Sequence, residues 1–346
     1  MTPVPLDLPV RPNEASEVAA LLYAHADRKP LTDDLRNRLA ARAAVLRLET
    51  LTPHFGSLAR DPLHASAYYL AVDGKETPHL LHTAIAGAPT SSVFPKPLLI
   101  GRTRRMNGPE IVVNAIPFGP GDRENIWNYA TRIDPALLPR PQGSRASITI
   151  ASGHSRAFGM FRRIEKRMSR NLAAVAGDYH ACLWAAIRAG WRREYSIAAG
   201  ASKKETAGIL LQPFPYTRYA IRVTDCGEAS LKVAASLHEE IRQARALAKM
   251  TGDFEFELEM GDVSAAELVA ALEWLRDQGH APEFVQTGGD PESLAEAARQ
   301  QRVALSFRYL GEAGPVIEAR ARSTGGRLNY HANTPEDAEI IAEHLL

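Results

Sequence analysis

In the second half of the chain, short β-branched and aromatic runs alternate with stretches whose apolar positions recur at helical spacing. The runs are Ser147–His154, Glu194–Ala201, Gly208–Phe214, Thr217–Asp225, Asp253–Asp262, Pro282–Asp290, Arg302–Tyr309 and Arg327–Asn333, and most end in a polar or glycine cluster. Strands alternating with helices pair in parallel through crossovers. About eight such units in roughly 200 residues predict an α/β fold in which 141–346 closes into a (β/α)8 TIM-like barrel. The helical pattern is plain over Ala229–Met250, with Leu231, Ala234, Leu237 and Ile241 near one face, and over Ser264–Gln278. Ser264 with Glu267 predicts a capping box, Gly279 a stop, and Thr334-Pro335 the start of the last helix.

The pattern before residue 141 differs. Helical spacing covers Ala15–Ala26 and about Thr32 to Leu51, followed by strand-like runs at Ser66–Gly74, His79–Ile85, Lys96–Gly101 and Glu110–Phe118. Asp73-Gly74 is a hairpin signal. These elements predict a smaller N-terminal α+β domain over 1–140. Asp134–Arg145, with three prolines and a glycine, is the candidate boundary.

Composition narrows the partners. The chain has 346 residues, 45% hydrophobic, enough for a sizeable core. Its 41 basic and 40 acidic residues nearly cancel, so no overall field draws it to nucleic acid or an anionic membrane. The basic cluster Arg162–Arg170 reads as the solvated face of a helix. Two cysteines, Cys182 and Cys226, are too few for a disulfide framework, and no export signal or long apolar run is present. The expectation is a cytoplasmic protein that needs neither nucleic acid nor membrane; a homo-oligomer is compatible with it.

Barrels of this kind react at the carboxyl ends of their strands, which directs attention to a few side chains. His154 follows the first run and titrates near neutrality. Asp178 and His180 flank Tyr179, with Asp178 as a helix cap the competing reading. Lys203 follows the second run, where it can neutralise a carboxylate. Asp225 and Cys226 put an acid and a thiol at a strand mouth, although a capping role explains Asp225 almost as well. Glu255, Glu257 and Glu259 alternate with Phe254, Phe256 and Leu258, so the three carboxylates share one face. If that face is the barrel interior, they require a cation or other partners.

Two stretches resemble the tagaturonate epimerase type of sugar-acid epimerase. DFEFELEMGD (Asp253–Asp262) is similar to that family's acidic strand D-F-D-F-E-V-S-V-D-E. The segment Val303–Ile341 is similar to a strand, an S-H-S-G-S-D-K turn, a T-G-G turn and a final strand with H-x-K-T-x-G-T. RASITIASGHSRAFG is a fainter match to R-A-S-F-G-T-G-D-R-L-G. Glu257, Ser306, Thr324, Gly325 and Gly326 match the family pattern, and Asp262 stands where the family has Glu. Phe307-Arg308 replaces His-Ser, Asn329 a histidine and His331 a lysine. The resemblance implies a (β/α)8 barrel, a bound divalent metal and reversible inversion at a carbon of a keto-uronate.

The expected activity is therefore that of an isomerase or epimerase acting on a small sugar or sugar acid by proton abstraction next to a carbonyl. Asp225 or Glu257 serves as base and His154 or His331 as opposing acid, while Lys203, Arg308 and Asn329 bind substrate. Glu257, Asp262 and His180 are the candidate ligands of a divalent metal, Mn or Zn. The competing expectation is a non-catalytic relative that binds a carbohydrate or a partner, and a third is a hydrolase or lyase using Cys226.

Overall fold

The computed structural model describes residues 11–26, 30–90, 93–94, 98–104, 107–143, 146–150, 155–165, 173–201, 214–250, 252–288 and 291–345. The chain divides into two compact units, Met1–Leu138 with Leu183–Arg192, and Pro139–Cys182 with Arg193–Leu346.

The first unit lays α1 (Pro12–Ala26) and α2 (Asp33–Val45) against an antiparallel sheet. Its strands are β1 (Leu51–Arg60), β2 (Ser66–Asp73), β3 (Pro78–Ile85), β4 (Leu98–Arg104) and β5 (Glu110–Pro117), in the order β1-β2-β3-β5-β4. The short helix α3 (Arg123–Asn128) follows. Leu35, Leu39 and Ala43 of α2 bury the helical stripe read from the sequence, and Thr32 caps the helix through Leu35 N–H. The helix stops at Val45, however, and the chain turns into β1. Pro53, which cannot donate to a ladder, is tolerated because β1 lies at the sheet edge.

The second unit is a closed ring of eight parallel strands, β6 (Ser147–Ile150), β7 (Ala173–Ala176), β8 (Ser196–Ala201), β9 (Arg218–Arg222), β10 (Glu255–Glu259), β11 (Phe284–Gln286), β12 (Ala304–Arg308) and β13 (Leu328–Ala332). Between and after them run α4 (Ser155–Glu165), α5 (Tyr179–Ala189), α6 (Glu228–Leu247), α7 (Ala265–Asp277), α8 (Pro291–Gln301), α9 (Gly314–Ser323) and α10 (Pro335–His344). Seven of the eight expected runs carry a barrel strand. The run Gly208–Phe214 lies, except for Phe214, outside the described residues, and the remaining place in the ring belongs to β7.

Alternation sorts the barrel side chains. Ile148, Ile197, Tyr219, Phe256, Leu258, Val285 and Leu305 are buried on the outer face; Phe256, for example, stacks on His238 of α6. The expected capping box of Ser264 with Glu267 is present, and Thr334, the expected cap of the last helix, forms a second one with Asp337. Gly279 adopts φ +80°, the left-handed conformation that ends α7 at little steric cost.

Candidate functional site

The barrel interior is polar. Register aligns Arg218 with Glu255, Ala220 with Glu257 and Arg222 with Glu259, so the three glutamates share a face with two arginines of the neighbouring strand. That face is the lumen. His331 on β13 reaches Glu257 on β10 although β11 and β12 separate their strands. The guanidinium of Arg218 lies 3.7 Å from the ring centroid of Phe284, two strands away. Such interiors are usually filled by branched apolar side chains, so this one needs a polar account.

Arg218 supplies the first part of it. The residue is fully buried, and its Nε donates to Glu255 Oε2 at 2.9 Å. Glu255 also accepts the backbone N–H groups of Gln142 and Gly143. At the carboxyl end of the same strands the more exposed Arg222 donates to Glu259 at 2.8 Å. Between these pairs sits Glu257, whose side chain is wholly inaccessible.

Glu257 Oε1 lies 3.1 Å from His331 Nε2, while Glu257 Oε2 has no hydrogen-bond partner among the described residues. Burial alone would raise the Glu257 pKa. The nearby His331, Arg218 and the Ser306 hydroxyl outweigh that cost and hold it at about 2. An ionised carboxylate only accepts, so Nε2 of His331 is the donor in this pair. The His331 side chain is 21% exposed, so the imidazole is accessible where its carboxylate is not.

Asn329, on the same face of β13, is anchored from three sides. Its Oδ1 accepts Ser147 Oγ at 2.7 Å and Thr149 Oγ1 at 3.0 Å. Its Nδ2 donates to Ser306 Oγ at 3.4 Å and lies 3.0 Å from His331 Nε2. Asn329 is fully buried, its side chain held by Ser147, Thr149 and Ser306. Arg308 pairs in register with His331 and is exposed at the end of β12, with no ion pair or hydrogen bond among the described residues.

The other described candidates have partners of their own. Asp225 is an exposed turn residue that accepts Gly227 N–H at 2.7 Å and the Thr224 hydroxyl at 3.0 Å. Hydrogen bonds from Gly227, Ser230 and Thr224 lower its pKa, as suits a turn-capping acceptor. The Cys226 thiol is pushed up by partial burial and by Glu267 and Asp225, which suppresses the thiolate a nucleophile needs. Asp262 packs into the neighbouring loop, with Oδ1 only 2.0 Å from where a Cβ on Gly288 would stand. His180 is buried in the first turn of α5, its ring 4.1 Å from that of Phe214. Asp178 caps that helix through Ala181 N–H. His154 and Lys203 lie outside the described residues.

Among the described residues no three His, Cys, Asp or Glu side chains converge as a metal site requires. Glu257, Asp262 and His180 therefore do not form the expected ligand set: the first is committed to His331, the second to the Gly288 loop and the third to Phe214. Glu257 and His331 together offer two donors, fewer than the three protein ligands a catalytic metal site requires.

Sequence reading missed Arg218, the main counter-charge of the lumen. Its signal was present: Arg218 and Arg222 stand four apart on one strand, opposite a strand with glutamate at every second place. A cavity of about 540 Å3 opens at the other end of the barrel beside His238, Arg242, Arg245, Arg276 and Glu283. Arg245 and Arg276 there hold the backbone carbonyls of Tyr216, Gly252 and Gln301, so we place the chemistry in the lumen.

No protein-family model and no curated protein matches this chain. Among solved structures it is similar to fructuronate-tagaturonate epimerase from Cohnella laeviribosi complexed with one glycerol, with TM-score 0.57 and 12% identity, covering 87% of this chain and 74% of that one. The two-glycerol complex of the same enzyme gives TM-score 0.57 and 12% identity over 86% of this chain and 74% of that one. At that identity the likeness is one of fold, and it falls on the same kind of protein that the acidic strand and the final strands resemble.

Proposed function

We propose that this chain is an isomerase or epimerase of a small sugar acid, moving a proton at a carbon next to a carbonyl through His331. The observation that carries the reading is the His331–Glu257 pair: an accessible imidazole in the lumen, backed at 3.1 Å by a buried carboxylate held at about 2. A buried carboxylate fixes the tautomer of such an imidazole and stabilises its protonated form, the requirement for a base that takes the proton from carbon. Inversion needs a second group or water to return one to the opposite face. Arg308, without a side-chain partner among the described residues, offers its guanidinium to the substrate carboxylate. The structural likeness to a fructuronate-tagaturonate epimerase makes keto-uronates the first substrates to try.

The test is solvent exchange. Purified protein mixed with fructuronate, tagaturonate and related keto-uronates in D2O, with and without Mn2+ or Zn2+, should introduce deuterium at one carbon, as read by NMR. The His331→Gln variant should not. Absence of exchange with every candidate would remove the reading, and binding without exchange would make the chain the non-catalytic relative.

A further inference from the structure

The lumen has one charged side and one nearly bare side. Register places Ala198 with Arg218 and Gly200 with Ala220, so Ala198, Gly200 and Ala220 share the inner face. Gly200 is exposed although it lies within a barrel strand, and a Cβ built on it meets no atom within 4 Å. Its φ is not in the left-handed region, and the β8–β9 register runs without a shift from Ala198 to Ala201. Neither a turn nor a bulge therefore calls for glycine here. A glycine inside a strand weakens it relative to alanine and often marks close approach of a ligand. In the ring, β8 stands four strands from β12, which carries Arg308, and three from β13, which carries His331.

We propose that Gly200 forms the wall against which the carbon chain of the ligand lies, and that the missing side chain there sets the width of the seat. A carboxylate held by Arg308 then leaves the rest of a short polyhydroxy acid to cross the mouth past His331. That the ligand is a sugar acid rests on the function proposed above; that the space is open does not.

Two variants separate these claims. Gly200→Cys in a Cys226→Ser background, with Cys182 buried, should react in the folded protein with a small anionic methanethiosulfonate as fast as an exposed thiol. An unreactive Gly200→Cys would overturn the inference whatever the activity. Gly200→Val suits a strand, so its melting temperature should match or exceed the parent's, while kcat/KM for exchange falls about 100-fold. A Gly200→Val protein that turns over like the parent would overturn the inference and leave the proposed function standing. A parent inactive on every sugar acid, with Gly200→Cys still reactive, would refute that function and keep the open wall.

Discussion

At the scale of single residues, Glu257 and His331 divide one task, and the division can be measured. Removing the imidazole while keeping a hydrogen-bonding side chain, as in His331→Gln, should lower kcat for exchange by about 10^2- to 10^4-fold, the usual contribution of a positioned acid–base group, with little change in the far-ultraviolet circular dichroism spectrum. Glu257 should also show itself in stability. Its pKa falls from an ordinary 4.5 to about 2 in the folded protein. The stabilisation is therefore fully present above pH 4.5 and is lost as pH drops from there toward 2, on the order of 3 kcal/mol in all. Urea unfolding at pH 6, 4 and 3 should show the parent losing more over that interval than Glu257→Gln, whose amide cannot titrate; parallel losses would mean that the carboxylate is not held as described. The glutamate was legible from its alternating strand and from the family resemblance. The role of Asn329 was not, because its partners Ser147, Thr149 and Ser306 come from two other strands and meet it only when the ring closes.

At the scale of elements, what could be read depended on whether the stabilising contacts are local. The capping box at Ser264 is local: Ser264 Oγ accepts Glu267 N–H, and Glu267 Oε2 accepts Ser264 N–H at 2.8 Å. Ser264→Ala should cost about 1 kcal/mol, read as a lower urea midpoint with unchanged slope. By contrast, the helix was read on to about Leu51 and β1 was not anticipated, because its pinning contact is remote. The Glu14 carboxylate on α1 accepts the N–H groups of Glu49 and Thr50 at 2.8 and 3.0 Å and thereby fixes the entry to the strand. Strand β7 was missed for another reason: Ala173–Ala176 contains one β-branched residue, and only its place between β6 and β8 makes it a strand. The end of α5 adds a contact that no spacing could reveal. Gly190 has φ +64° and a Cβ there would lie 2.6 Å from Gly56 backbone atoms. Gly190→Ala combines left-handed strain with a backbone clash and should destabilise by more than about 1 kcal/mol; a melting temperature equal to the parent's would contradict the close approach.

At the scale of the whole molecule, periodicity sufficed for the barrel but could not say which face of its acidic strand looks inward. Alternating Glu and Phe fits either orientation, and the arginines of β9 decide it. With Arg218 opposite Glu255, the carboxylates face the lumen and the phenylalanines face the helices. The ring thus closes around charge and depends on balance: Arg218 serves Glu255 directly and lowers the pKa of Glu257 from nearby. Replacing it with an apolar side chain of similar length, Arg218→Met, strands two buried carboxylates, and breaking a buried pair in this way costs about 3–5 kcal/mol. Removing the partner as well should reverse much of that loss. The double variant Arg218→Met with Glu255→Gln leaves only Glu257, which keeps His331, and should recover at least about 1 kcal/mol relative to Arg218→Met alone. Urea unfolding of the parent, the two single variants and the double variant gives the coupling directly. Strictly additive losses would mean that Arg218 and Glu255 do not compensate each other, and the inward orientation of the acidic strand would lose its physical basis.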